Sequence, residues 1–396
     1  MRELNRAAVL AELLRSRPAS RKQIASRTGV SPATVTRATD QLIHEGIVRE
    51  GDEIVVENRG RRARALDLVA ERSYAVGIDL GASNTRLVMT DLVGAPQIAV
   101  ETKTPSQLSS QEMASWLARE VIDAAAAAGV WSAVAHISLG LPGAVGQGDR
   151  VVSNAPNLPH VEDVRFLEVL ERELGMTLEV DNDANFALLG EQRFGSARDA
   201  PTAAMLTLGT GLGAGLAIDG WILQGRHGLI GEFGQLPIGA HGLHLEHFVT
   251  GPGLLRRARE TGVVLESPAD LFSDAQPTSA KSLREEFDHA LRVVLTAIAV
   301  SCEPEVIVLG GGISRSLESR LSAYQDALEQ SLRYAPKLRA VELGNFSGAV
   351  GAAVTSLRTM YRELGVHESA LVDLPTAQPL DLDSLVAVAR APHAVA

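Results

Sequence analysis

The stretch Ala203–Gly220, "AAMLTLGTGLGAGLAIDG", decides the fold. An apolar run enters a turn carrying Gly209, Thr210, Gly211 and Gly213, and a second apolar run leaves it. The Gly209, Gly211, Ala214 spacing formally satisfies the dinucleotide fingerprint, but that fingerprint needs a helix after the turn, and "AGLAIDGWIL" predicts a strand. A Rossmann unit is therefore rejected. The same grammar occurs about 130 residues earlier in Tyr74–Gly94, "YAVGIDLGASNTRLVMTDLVG", whose turn carries Asp79, Gly81, Ser83 and Thr85. Turns of small and hydroxyl residues can present backbone N–H groups to phosphate. One such turn is an ordinary hairpin, whereas two suggest similar halves closing on a nucleotide.

Between the hairpins, "EVDNDANFALLGE" places an apolar strand before Asp181, Asn182 and Asp183, with a helix starting at about Ala184. Carboxylates at a strand's C-terminal end beside a helix N-terminus are common ligand groups in α/β folds. By residue type alone Asp183 could equally be a helix cap. Gly143 in "GLPGAV" either admits a close backbone approach to a ligand or marks a Pro-Gly turn.

Taken in order, "GIDLGASNTR", "SLGLPGAV", "APNLP", "EVDNDANFALLGE", "LTLGTGLGAGL", "GLIGEFG" and "VIVLGGGIS" resemble the signature segments of the ROK family of bacterial sugar kinases and sugar-responsive transcription factors. The resemblance covers roughly residues 74–363. It implies an α/β fold class: a two-lobed actin-like ATPase (ribonuclease H-like) domain. It further implies Asp183 as the base that takes the sugar hydroxyl's proton in a kinase, with sugar contacts at Gly143, Asn157, Asn182, Glu232 and Glu246. The nucleotide residues, retained or vestigial, would be Asp79, Gly81, Thr85, Gly209, Thr210, Gly211 and Gly311.

The departures from the family pattern concern catalysis. Gln235 stands where the family has a histidine that touches sugar and ligates zinc. Only 13 residues separate Glu232 from Glu246, and none is cysteine. Zinc held by one histidine and three thiolates cannot form, so no metal is expected. His241, His244 and His247 have helical spacing, but Gly242 breaks the helix that would align them. The first hairpin carries Ser83-Asn84 where family kinases have Thr-Lys, which removes a cationic residue. Loss of catalytic order with retained sugar binding is the expectation.

The head is basic and the body acidic: residues 1–72 sum to +4 and the remainder to −15, within a net charge of −11. Such asymmetry suggests a polyanion-binding module on a domain with another task. Leu4 to Leu14 predict an amphipathic helix. "SRKQ" is a capping box at Ser20, and Gly29 closes the second helix. Ser31 and Pro32 start a third that ends at Gly46. Val35, Ala38, Leu42 and Ile43 form its buried stripe, leaving Ala33, Thr34, Thr36, Arg37 and Gln41 outward. Two strands follow, with Arg59, Arg61, Arg62 and Arg64 near the second. This is the order of a winged helix-turn-helix, whose DNA contacts would come from Ser31, Ala33, Thr34, Thr36 and Arg37 in the major groove and Arg59, Arg61 and Arg62 on the wing.

The expected domains are therefore a winged helix-turn-helix over 1–72, a two-lobed body over 73–363 and a C-terminal extension over 364–396 without a motif. A single cysteine, Cys302, excludes a disulfide framework and reads as core. No signal peptide or apolar span is legible, which points to the cytoplasm. Three functions stay open: a sugar-responsive regulator, acting as a homodimer or homotetramer on double-stranded operator DNA with a sugar or sugar-phosphate effector; an ATP-dependent sugar kinase; and a non-catalytic scaffold. No cofactor is required, ATP and Mg²⁺ entering only with kinase activity.

Overall fold

A computed structural model describes residues 2–55, 62–238, 242–273, 280–376 and 382–390. In the head, helices α1 (Arg2–Arg15), α2 (Arg21–Thr28) and α3 (Pro32–His44) precede the antiparallel pair β1 (Val48–Val55) and β2 (Arg62–Leu68). The predicted capping box is present: the Ser20 hydroxyl accepts the Gln23 N–H while the Gln23 side chain accepts the Ser20 N–H. Ser31 caps α3 by accepting the Thr34 N–H, with Pro32 in its first turn. Val35, Ala38 and Leu42 are buried as predicted, Ile43 is half-buried against the same core, and Thr39 is buried beside them.

The first lobe runs β3 (Tyr74–Leu80), β4 (Asn84–Asp91), β5 (Pro96–Lys103), α4 (Ser110–Ala127), β6 (Val134–Leu141), the short pair β7 (Ala144–Val145) and β8 (Val152–Ser153), α5 (Val164–Leu174) and β9 (Glu179–Asn182). After α6 (Asp183–Phe194), the second lobe supplies β10 (Ala203–Leu208), β11 (Leu212–Ile218), β12 (Trp221–Ile222), α7 (Glu246–Val249), α8 (Gly251–Glu260), α9 (Ala280–Cys302), β13 (Val306–Gly310), α10 (Leu321–Ser331) and β14 (Lys337–Ala340). Helix α11 (Ser347–Glu363) follows, then α12 (Glu368–Leu371) and α13 (Leu382–Arg390).

The two sheets have the same topology. Their orders are β5-β4-β3-β6-β9 and β12-β11-β10-β13-β14, each an antiparallel trio continued by two parallel strands. Both glycine hairpins are therefore the first turn of a lobe, as the repeated pattern predicts. Each lobe has its own apolar core, one around Val76, Ile78 and Phe166 and the other around Leu206, Phe287 and Ile307.

Helices α6 and α11 exchange lobes. Helix α6 leaves β9 of the first sheet but lies on β10 and β11 of the second, while α11 leaves β14 of the second and lies on β3 and β6 of the first. They touch each other backbone to backbone. A Cβ at Gly351 would stand 1.7 Å from the Phe186 carbonyl oxygen, and one at Gly190 would stand 2.4 Å from that of Ser347. No side chain fits at either crossing point.

The head shares a core with the far end of α11. Leu10, Leu13, Leu42 and Leu66 pack in one cluster with Leu357, Tyr361, Leu371 and Leu374. The extension after residue 364 thus contributes buried side chains to the head, and Leu385 of α13 joins a separate core beside Val88 and Phe346. Among the described residues no helix is long and apolar enough to cross a membrane. Cys302 is buried on α9, as expected of a core residue.

Candidate functional site

A cleft of about 870 Å³ separates the lobes, and the carboxylates of Asp79, Asp183, Glu232 and Glu246 all line it. Gly143, Asn157, Asn182 and Gln235 line the same space, as do Gly81, Gly209, Thr210, Gly211 and Gly311. The sequence segments thus converge in three dimensions on one concavity.

At the strand–helix junction, Asn182 and not Asp183 caps α6. The Asn182 side-chain oxygen accepts the Ala184 and Asn185 N–H groups at 2.9 and 3.3 Å, and its amide donates to the Gly143 carbonyl at 2.8 Å. Asp183 is thereby left facing the cleft, and Asn182 keeps one amide hydrogen for a ligand. Burial pushes the Asp183 carboxyl up to about 7, with the charges of Asp79 and Glu232 adding to the effect. Burial, then Glu246, pushes Glu232 up to about 7 as well. Asp79 is also raised by burial, although Arg86 stands 3.4 Å away and opposes the shift. Clustered acids perturbed by desolvation and by one another mark a functional site. Neighbouring sugar hydroxyls, each donating a hydrogen bond, are suited to such acceptors.

The shortened rim is ordered by the chain itself. The Ile238 N–H donates to the Leu243 carbonyl at 2.8 Å, the Leu245 N–H to that of Leu236 at 3.0 Å, and the His244 N–H to Nδ1 of His247 at 3.0 Å. The Thr250 hydroxyl then holds the Glu246 carbonyl at 2.8 Å. These bonds fix the backbone around Glu246, whose carboxylate lines the cleft. The residues do not fit zinc: Gln235 has no imidazole, His247 spends Nδ1 on a backbone N–H, and the sole thiol is on α9. His241 lies outside the described residues, among which no His, Cys, Asp and Glu group is arranged to hold a metal.

Two nucleotide-side expectations are corrected. Thr85 does not face the cleft; it is buried, and its hydroxyl pairs with that of Thr104 at 2.8 Å. Strand alternation explains this, because Asn84 and Arg86 take the cleft face of β4 and Thr85 the opposite one. Nor is the first hairpin without a cation, since Arg86 lines the cleft and bonds Glu101 at 2.8 Å. The sequence signal for Arg86 was its register opposite Asp79 across the hairpin. Sequence reasoning also missed Gln224, which donates to buried Asp181 of β9 at 2.6 Å and ties the segment after β12 to the strand leading into α6, and Arg315, which bonds Asn345 at 2.7 Å in the cleft.

In the head, Ser31, Ala33, Thr36 and Arg37 are exposed at the start of α3. Thr34 is half-buried, with its hydroxyl 2.9 Å from that of Ser31. Gln41 is not a free outward residue, because it donates to Glu45 at 2.8 Å within the helix. Arg64 and Arg21 are both paired with Glu50 at 2.8 Å. Arg59 and Arg61 lie outside the described residues, as does the side chain of Arg62, whose backbone opens β2.

Duplicated lobes flanking a carboxylate-lined cleft, with a winged helix-turn-helix packed on the outer end of α11, define a two-lobed ribonuclease H-like fold joined to a winged-helix head. The chain belongs to the ROK family, whose model matches residues 75–358, and the MarR family model matches residues 3–50. The xylose repressor of Caldicellulosiruptor bescii is 28% identical over 60% of this chain and 59% of its own length. The chain thus spans about 59% of the curated repressors it matches. A solved ROK hexokinase from Thermus thermophilus is 30% identical with a TM-score of 0.61, over 73% of this chain and 99% of the hexokinase. A ROK transcriptional regulator described as a homologue of the E. coli MLC protein aligns over 94% of this chain and 99% of its own at a TM-score of 0.71; at 22% identity it shows the fold alone.

Proposed function

We propose that this protein is a sugar-responsive, DNA-binding transcriptional regulator, acting as a repressor of carbohydrate genes. The winged head binds operator DNA, and the cleft binds a sugar or sugar phosphate through Asp183, Glu232 and Glu246, with Gly143, Asn157, Asn182 and Gln235 completing the site. The observation that carries this reading is the union of an acid-lined cleft with a winged head in one continuous packed body. The name of the Caldicellulosiruptor relative makes pentoses a first class of effector to test. Two heads on the half-sites of a palindromic operator require a homodimer or homotetramer.

No metal or other cofactor is needed for this role. The kinase reading keeps one observation in its favour: a carboxyl held near 7 suits a general base. Against turnover stands Asp79, which lines the cleft but is paired with Arg86 at 3.4 Å. A thermal-shift screen of sugars and sugar phosphates, with and without ATP, identifies the effector. Fluorescence anisotropy on duplexes tiled across the DNA upstream of the chain's own coding sequence then identifies the operator. The reading expects both a ligand and a specific duplex. ATP consumption dependent on that sugar and lost in Asp183→Asn establishes the kinase instead.

A further inference from the structure

Each lobe-exchanging helix carries an arginine that grips the short segment 372–375 of the C-terminal extension. At the eleventh residue of α6, the Arg193 guanidinium donates to the carbonyls of Val372 at 2.9 Å, Asp373 at 2.7 Å and Pro375 at 3.0 Å. At the twelfth residue of α11, Arg358 donates to Val372 at 3.0 Å and to Leu374 at 3.2 Å. The arginines occupy near-equivalent places on helices related by the internal duplication, and they share one acceptor. Neither makes a hydrogen bond to a carboxylate among the described residues. Burial, with Arg193 beside it, brings the Arg358 guanidinium down to about 10, so two cations are held together mainly by backbone dipoles.

The gripped segment also touches the second lobe and the head. Val372 rests against the turn between β11 and β12, where a Cβ at Gly220 would lie 3.0 Å from its methyl. Leu371 and Leu374 are buried in the cluster that holds Leu10, Leu13 and Leu14 of α1, and the Thr376 hydroxyl donates to the Leu14 carbonyl at 3.2 Å. The opposite ends of both helices are in the cleft: Asp183 opens α6, and Ser347 and Gly348 open α11. At 1.5 Å per residue α6 and α11 span about 18 and about 25 Å, so each is one rigid rod from ligand site to strap.

We propose that Arg193 and Arg358 are the positioning residues that couple the cleft to the DNA-binding head, by clamping strap residues 372–375 to both lobe-exchanging helices at once. A ligand that changes the lobe arrangement moves α6 relative to α11. The two guanidiniums then move relative to each other while holding one short strap, and the strap carries Leu371 and Leu374 with it inside the head's core. Packed interfaces of this kind switch between discrete arrangements more readily than they stretch.

The proposal rests on the regulator reading, and its test separates the two. Operator affinity of the full chain is measured with and without the sugar found by thermal shift, for wild type, Arg193→Gln, Arg358→Gln and Arg193→Lys; sugar affinity is measured without DNA. Coupling between two sites is commonly about 5- to 150-fold. The expected result is sugar affinity and sugar-free operator affinity within about twofold of wild type in folded variants, while the sugar-induced change falls to about twofold or less. Arg193→Lys should behave like Arg193→Gln, because an ammonium lacks the planar fork that spans several carbonyls. Folded variants that keep the wild-type sugar effect overturn the proposal. If the variants do not fold, hydrogen–deuterium exchange of wild-type residues 368–376 decides: altered protection on adding sugar supports the clamp, and unaltered protection overturns it. Wild-type protein that binds the sugar without any change in operator affinity removes the regulator reading, and the clamp's coupling role with it.

Discussion

Sugar affinity should rise steeply between pH 6 and pH 8. Asp183 and Glu232 are both held at about 7 by burial and by neighbouring acids. A carboxyl with that value is roughly 9% ionised at pH 6 and roughly 91% at pH 8. An ionised carboxylate accepts hydrogen bonds at both oxygens, and charge-assisted bonds are roughly twice as strong as neutral ones. If the sugar requires one of the two ionised, affinity rises about tenfold across that interval, and if it requires both, up to about 100-fold. Free protein should behave in the opposite sense. A carboxyl raised on folding contributes stability that is full below its unfolded value near 4 and is lost as pH rises through about 7, so the ligand-free melting temperature should fall from pH 5 to pH 8. Isothermal titration in two buffers of different ionisation enthalpy should show proton release on sugar binding near pH 7. Glu232→Gln, where it still binds, should limit the pH effect to about tenfold. Affinity that is flat from pH 6 to 8, with no proton release, refutes this account of the acids.

Gly351→Ala must force α6 and α11 apart, because its Cβ would meet the Phe186 carbonyl oxygen at 1.7 Å; urea unfolding should show a loss of about 3 kcal/mol, as for severe overpacking. Thr85→Val should lower stability by ~1 kcal/mol through the lost Thr104 hydroxyl pair, yet leave the affinity for the sugar within about twofold. Arg37→Ala should weaken operator binding by ~1–3 kcal/mol in an anisotropy titration while leaving the sugar-induced thermal shift unchanged.

Much of the architecture was legible because it is written in local chemistry. The Ser20 capping box, Pro32 and the glycine hairpins each fix backbone geometry within a few residues, and the repetition of the hairpin exposed the duplication. The site was legible to the extent that its members lie in contiguous segments. Thr85 was misplaced because a strand's side chains alternate, so a residue beside a cleft residue points away from it. Arg86 was missed for the complementary reason, standing one position further on the correct face. What no local pattern reveals is long-range partnership. The rim around Glu246 is closed by bonds from the Leu245 N–H to the Leu236 carbonyl and from the His244 N–H to the His247 ring, which no local pattern announces. The role of the extension was likewise invisible, since Arg193 meets Val372 across 179 residues of chain.

Ligand in the cleft should change how the head binds DNA. This is tested most directly by measuring the affinity of wild-type protein for its operator duplex, at fixed salt and pH, with and without saturating sugar. The expected change is at least about fivefold. Specific operator binding that the cleft-bound sugar leaves unaltered contradicts it.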